Sequence, residues 1–282
     1  MISDIRRSLP RAAWWTLNVA LTVLFLSPLV VMLSMAFKSS GDQGHIPPTL
    51  LPQHPTWDNF VKLTSVQGLN IFHNLLNSVM VSVSATLLVV LFASMAGYGI
   101  ARTKFPGAGI VFFVALASFM IPFQAILTPL YMLLKNMGLN DSLVGLTLVY
   151  VTFNLPFALF IMRNAFASVP QALEEAARID GCGTIRAIVQ IMLPIVKPGL
   201  ITASLMTFFN TWNEFFAALI LVTSQEKFTL PVTLTMVASG SFGQIDWGSL
   251  QAGVALTIIP CIVVYLLLQR YYVSGMLSGA LK

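Results

Sequence analysis

An all-α, polytopic membrane protein of about six transmembrane helices is what this sequence predicts, on its charge-poor composition and on the length of its uncharged runs. Of its 282 residues, 57% are hydrophobic and 9% are charged, against roughly a quarter charged in an average soluble domain. A soluble fold could not cover its surface at that ratio. Apolar runs of about 20 residues cross the hydrocarbon layer as helices, which bond every backbone polar group within the segment. Five to seven such spans leave little chain for an independent soluble domain, so one membrane domain over residues 1–282 is expected.

The expected spans are residues 14–37, 75–101, 107–129, 143–162, 200–222 and 250–268. The first follows Arg6, Arg7 and Arg11, as a secretory signal would. It exceeds a signal's apolar region of about 7 to 15 residues and is read as a retained span. In the third, Pro122 and Pro129 interrupt the backbone ladder, which makes residues 130–137 a short helix at the far surface.

An even number of spans places both termini on one side. The end segments and even loops carry Arg6, Arg7, Arg11, Arg102, Lys104, Arg163, Arg178, Arg186, Lys197, Arg270 and Lys282. The odd loops carry only Lys38, Lys62, Lys135 and Lys227. Lys and Arg collect on the cytoplasmic side, so both termini are expected there. The same distribution explains the net charge of +5 as orientation signals. The basic residues lack aromatic interleaving, and no nucleic-acid partner is expected.

Cys182 and Cys261 form no CxxC or Cys/His spacing, and His45, His54 and His73 have no acidic or cysteine partner at ligand spacing. Neither a metal site nor a disulfide framework is indicated. No Gly-x-x-x-x-Gly-Lys-Ser/Thr phosphate loop occurs, and no cofactor or catalytic residue is expected. A membrane-embedded enzyme would need clustered acids, histidines or a nucleophile with a base at one membrane face. An ion-coupled transporter would need charged relays and repeated halves. Neither pattern is apparent.

The soluble segments are residues 38–73, 163–198 and 224–249, and the middle one carries the strongest signal. Ser168, Pro170 and Gln171 have helix-start spacing, so a helix is expected from about Val169 through Asp180. Gly181 and Gly183 suit its left-handed stop. Thr184 then opens a second short helix, which Pro194 closes. Such a helix-turn-helix presents carboxylates and alanines, which suits docking into a socket on another protein.

Glu175-Ala176-Ala177, then Gly181, then Ile191, Leu193 and Pro194 resemble the EAA loop of bacterial ABC importer permeases. Seven fixed positions at ordinary residue usage match by chance at one start site on the order of one time in 10⁸. The resemblance implies a coupling loop over residues 168–194, in which Glu175, Ala176, Ala177 and Gly181 contact an ATP-hydrolysing subunit. Ile191, Leu193 and Pro194 would hold the loop to the membrane domain. Glu174 and Asp180 adjoin the expected interface, although the family pattern does not fix them in the same way.

Residues 96–106 (AGYGIARTKFP), 121–130 (IPFQAILTPL), 211–215 (TWNEF) and the tail 269–282 are similar to the smaller, six-span permease of maltose-type sugar transporters. Met276 and Leu277 depart from the usual Leu and Thr of such tails. The resemblance implies a binding-protein-dependent, ATP-driven importer in a bacterial inner membrane, moving a sugar or sugar derivative by alternating access. The implied partners are a homologous permease, two ATP-binding subunits, an extracytoplasmic solute-binding protein and the surrounding lipid. This chain would have no catalytic activity, ATP being hydrolysed by another chain.

Glu214 is the only ionisable residue well inside an expected span. At 1.5 Å per residue it lies roughly 24 Å past Pro198, near or beyond the midplane. A carboxylate there costs about 2.5 to 3.5 kcal/mol on insertion scales and should face protein or water. Asn210 lies one turn earlier, Asn213 is adjacent, and Trp212 either stacks on a sugar ring or packs within the bundle as aromatics in spans usually do. Two readings stand: this stripe lines the translocation path, or it ties the span to a neighbouring helix. The glycine-rich outer stretch 240–248 either meets the binding protein, as the resemblance implies, or is a plain connector.

Overall fold

The computed structural model describes residues 11–43, 49–65, 70–241 and 245–280. Arg6, Arg7, His45, Phe242, Gly243, Gln244 and Lys282 lie outside the described residues, as does the side chain of Arg270. In chain order, α1 spans Arg11–Ala36, α2 Ser40–Gln43, α3 Asp58–Ser65, α4 Ile71–Arg102, α5 Ala108–Ser118, α6 Phe123–Asn136 and α7 Leu143–Ala167. Then come α8 Gln171–Ile179, α9 Thr184–Ile195, α10 Lys197–Trp212, α11 Phe216–Leu221, α12 Leu230–Ala238 and α13 Trp247–Ala280. Among the described residues there is no strand, only an isolated bridge between Lys38 and Pro55.

The all-α class is observed. Helices α1, α4, α7 and α13 are each long and apolar enough to cross a membrane, and the count reaches six if two bent pairs are each one span. One pair is α5 and α6, bent by 98°, and the other is α9 and α10, bent by 77°. Two expectations need correction. The third span breaks near Pro122 alone, which caps α6 in an extended conformation (ψ 124°), whereas Pro129 lies inside α6. A single interior proline removes one ladder bond, and the rest of α6 carries it. The fifth expected span is interrupted at Asn213 to Phe215, between α10 and α11.

The chain falls into two compact units. The first comprises residues 1–71 and 234–258. Its α1 leaves apolar side chains open on all sides, Phe25 being 72% exposed, as a helix surrounded by lipid requires. The end of α1 is tied down by Asn59, whose amide donates to the carbonyls of Ala36 and Lys38 at 2.8 Å each. The Ala36 bond satisfies one acceptor that the helix terminus leaves open, and the Lys38 bond holds the chain that follows it. Asp42 accepts from the backbone of Gln53 (3.1 Å) and His54 (2.8 Å), and Phe37, Trp57 and Phe60 pack ring to ring. Lys62 pairs with Asp246 at 2.9 Å. Burial works against the Asp246 charge, but Lys62 and the Ser249 amide hold its carboxyl below the usual range. A Cβ at Gly248 would fall 2.1 Å from Gln43 Nε2, so a side chain there must displace the Gln43 and Asn59 amides.

The second unit comprises residues 72–233 and 259–282. Helix α7 is its spine, with α10 packed along it and α5 and α11 in lesser contact. Ser142 caps α7, accepting from Val144 N (3.2 Å) and Gly145 N (3.5 Å). Backbones approach closely where glycine permits: a Cβ at Gly97 would lie 2.9 Å from both Arg163 N and Met162 Cβ. Leu146, Met162 and Phe166 of α7 are wholly buried, and Phe208 and Trp212 of α10 nearly so. On α4, Asn74, Asn77 and Ser78 form a buried polar stripe at helical spacing. Asn77 donates to the carbonyls of Glu226 (2.8 Å) and Phe228 (3.1 Å), and Ser78 accepts from Leu230 N (2.7 Å). These bonds seat the turn that enters α12.

Candidate functional site: a docking loop and a membrane cavity

Both groups of expected site residues fall in the second unit. In the loop, the helix begins at Gln171 rather than Val169, because Ser168 does not cap it. The Ser168 hydroxyl donates back to Ala165 O at 2.8 Å. Pro170 takes the cap position with ψ 134°, and a proline bars the residue before it from helical geometry. At the other end Gly181 adopts φ +77°. Its amide bonds Arg178 O at 3.0 Å while Cys182 N bonds Ala177 O at 2.9 Å. That pair of bonds is the Schellman stop expected of a glycine here. The second helix outlasts Pro194, continuing through a π-helical turn, Ile188–Met192, to Ile195.

Helix α8 has two faces. Glu175, Ala176, Ile179, Asp180 and Gly181 are exposed, Ile179 at 86%. Ile185 on the next helix is 79% exposed. Glu174 (8%) and Ala177 (5%) turn inward. Of the three residues expected to hold the loop, Ile191 and Leu193 are half-buried and Pro194 is exposed. Ala187, Met192 and Val196 supply the buried contacts.

The carboxylate of Glu174 accepts from Tyr98 Oη at 2.7 Å and from Arg178 Nη2 at 3.0 Å. Arg102 Nε lies 3.9 Å from its other oxygen, and Arg102 also donates to Val169 O. Tyr98 and Arg102 were not expected at the site. Their spacing of four residues near the end of a span was the available signal, since it sets both on one side of α4.

The cavity has a volume of about 510 Å³ and lies where the α5–α6 bend meets α7 and α10. Its polar wall is Tyr150, Asn154, Asn210, Thr211 and Glu214, and Phe119, Phe123 and Phe153 face them. Asn210 donates to Asn154 Oδ1 at 3.2 Å. Glu214 accepts from Tyr150 Oη at 2.6 Å and from the amides of Ala217 (2.8 Å) and Ala218 (3.3 Å). It therefore bonds amides in the first turn of α11 while lining the cavity. Trp212 does not reach the cavity: it is 2% exposed and stacked on Phe208. Asn213 is exposed and bonds back to Phe209 O at 2.8 Å. Among the described residues no group of His, Cys, Asp and Glu could hold a metal ion.

An exposed helical loop and, among membrane-length helices, a cavity with one polar wall are features that suit a transport subunit. Residues 89–278 match the model of the family described as "Binding-protein-dependent transport system inner membrane component". The chain is 36% identical to the diacetylchitobiose uptake system permease protein NgcG of Streptomyces coelicolor, over 93% of this chain and 85% of that one. It is 33% identical to the trehalose transport system permease protein SugB of Mycobacterium tuberculosis, over 96% of this chain and 98% of that one. Its fold is similar to a chain of a bacterial ABC transporter involved in the import of the acidic polysaccharide alginate. That match has a TM-score of 0.78 and 22% identity, covering 94% of this chain and 99% of the other.

The chain belongs to the family of inner-membrane components of binding-protein-dependent transport systems. It is a multi-pass permease subunit, not an enzyme. Such permeases work with another permease, ATP-binding subunits that hydrolyse the ATP, and a solute-binding protein.

Proposed function

We propose that this chain passes a sugar or sugar derivative through a bacterial inner membrane, driven by ATP hydrolysis on partner subunits. The observation that carries the coupling role is the outward face of α8, where Glu175, Ala176 and Ile179 stand free of the chain's own packing. Small alanines permit close approach, and Glu175 offers a carboxylate to a basic socket. Gly181 and Asp180 border that face. The assembly comprises one homologous permease, two ATP-binding subunits and an extracytoplasmic solute-binding protein. Residues 1–282 act in it as one transmembrane domain, with both termini cytoplasmic as the Lys/Arg distribution indicates. ATP closes the ATPase dimer, the docked loops are drawn together, and the membrane halves turn from inward-open to outward-open.

The sugar reading is supported by the relatives named for diacetylchitobiose and trehalose and by the chemistry of the cavity. Asn154, Asn210, Tyr150 and Glu214 offer hydrogen bonds to hydroxyls, while Phe119, Phe123 and Phe153 offer faces to the apolar side of a sugar ring. Asn210 and Glu214 are the pathway residues that line the cavity, Trp212 packs on Phe208, and Asn213 closes the end of α10.

The test is Glu175→Arg in the complete transporter, assayed for solute uptake in membrane vesicles. The variant inserts normally and loses uptake. Unchanged uptake rejects the docking role.

A further inference from the structure

Glu174 is the adjacent member of the Glu-Glu pair, yet it points away from the docking face. Its carboxylate is buried, bonded to Tyr98 of α4 at 2.7 Å, and lies 3.9 Å from Arg102 Nε one turn along. Arg102 meanwhile holds the carbonyl of Val169, just ahead of α8. Thus the segment is joined to a single turn of α4 at two points, Val169 in the link ahead of α8 and Glu174 within it. Tyr98 also packs edge-on against Phe166 at the end of α7, with ring centroids 5.6 Å apart. Two separated attachments prevent rotation where one would permit it.

Arg102 Nε is buried and has no hydrogen-bond partner. It faces Glu174 Oε2 across a gap about 1 Å longer than a charge-assisted bond. A small shift of α8 toward α4 closes that gap, so the joint has room to tighten under load.

We propose that Tyr98, Glu174 and Arg102 form a clamp that fixes the docking helix to α4, so that a push on the exposed face moves the span instead of turning α8 alone. These are positioning residues, and the inference rests on the coupling role proposed above. In the absence of the clamp the ATPase subunit still docks and still turns over, but its stroke is spent within the loop.

The test uses the complete transporter in proteoliposomes, with solute-binding protein outside and ATP inside, and reads solute moved per ATP hydrolysed. Tyr98→Phe keeps the ring on Phe166 and removes only the hydroxyl. Glu174→Gln removes the charge and leaves the shape. In both, the ATP-binding subunits co-purify and hydrolysis persists, while solute per ATP falls by about 5-fold or more, the low end of typical coupling between sites. The double variant loses no more than the worse single one, because the residues act as a unit. An unchanged ratio in Tyr98→Phe overturns the clamp, even if less transporter assembles. Loss of the ATP-binding subunits from Glu174→Gln also overturns it, since Glu174 would then be a docking residue. Failure of the underlying reading shows elsewhere, as Glu175→Arg leaving uptake intact, and removes the clamp's purpose with it.

Discussion

Among the described residues the second unit contains two glutamate–tyrosine hydrogen bonds of nearly equal length, and the company each carboxylate keeps differs. Glu174 and Tyr98 meet at 2.7 Å with Arg178 and Arg102 beside the carboxylate. Glu214 and Tyr150 meet at 2.6 Å, and the other donors to that carboxylate are two backbone amides. Among the described residues no cation forms an ion pair with Glu214. Where counter-charges are present the carboxylate acts as a joint. Where they are absent it bonds the first turn of a short helix and sits on the wall of a cavity.

The largest expected effect separates the two by stability. Glu174→Ala leaves Arg102, whose side chain is 4% exposed, as an unpaired buried charge, a loss of about 3 kcal/mol. Glu214→Ala removes a helix cap without stranding a cation, a loss of about 1 kcal/mol. Thermal unfolding of the two variants in detergent, compared with the parent chain, measures the difference. Equal losses would erase the contrast.

Next is the contact behind the first pair. Gly97→Val places side-chain atoms against Arg163 N and the Met162 side chain, which pries α4 from α7 and costs about 2 kcal/mol as overpacking. Thermal unfolding reads this as well, and an unshifted midpoint would show that the helices do not approach so closely.

Glu214→Gln keeps the Ala217 bond through its one amide oxygen and turns its NH2 toward Tyr150, while removing the carboxylate. Uptake of a neutral sugar changes modestly, and exclusion of an acidic sugar weakens. Competition by a uronic-acid oligomer in the uptake assay checks this, and unchanged competition would reduce Glu214 to a cap.

The smallest effect is a pH dependence outside the membrane. Asp141 adopts φ +48° and accepts from Thr223 N (2.9 Å), Ser224 N (3.0 Å), Ser224 Oγ (2.5 Å) and Lys227 Nζ (3.1 Å). Burial works against its charge, but these donors hold its carboxyl far below the usual range. A depressed pKa contributes stability above the unfolded value of about 3.9, and that contribution fades as pH falls below it. Asp141→Asn is therefore less stable than the parent at pH 7, and the gap narrows as pH falls below about 4. A gap independent of pH would exclude the carboxylate as its source.

How much of this was legible in the sequence varies with the kind of interaction involved. Long apolar runs mark α1, α4, α7 and α13 because lipid imposes a length on any span. Pro122 marks the bend before α6 because a proline ring acts locally. The break at Glu214 has no glycine or proline to announce it. There a carboxylate folds back onto Ala217 and Ala218, which composition does not display. Residues 168–194 stand out by motif and by Gly181, yet the pattern does not say which face of α8 turns inward. That depends on Tyr98 and Arg102, more than 70 positions earlier. The burial of Trp212 likewise follows from its stacking on Phe208, not from its place beside Asn213.

The most direct measurement is cross-linking from the docking face in membranes. In a chain with Cys182 and Cys261 replaced by serine, Ile179→Cys should cross-link to the ATP-binding subunit. Its yield should change when ATP is added, and impermeant thiol reagents applied outside should not label it. Labelling from outside, or no cross-link to any nucleotide-binding partner, would contradict the account.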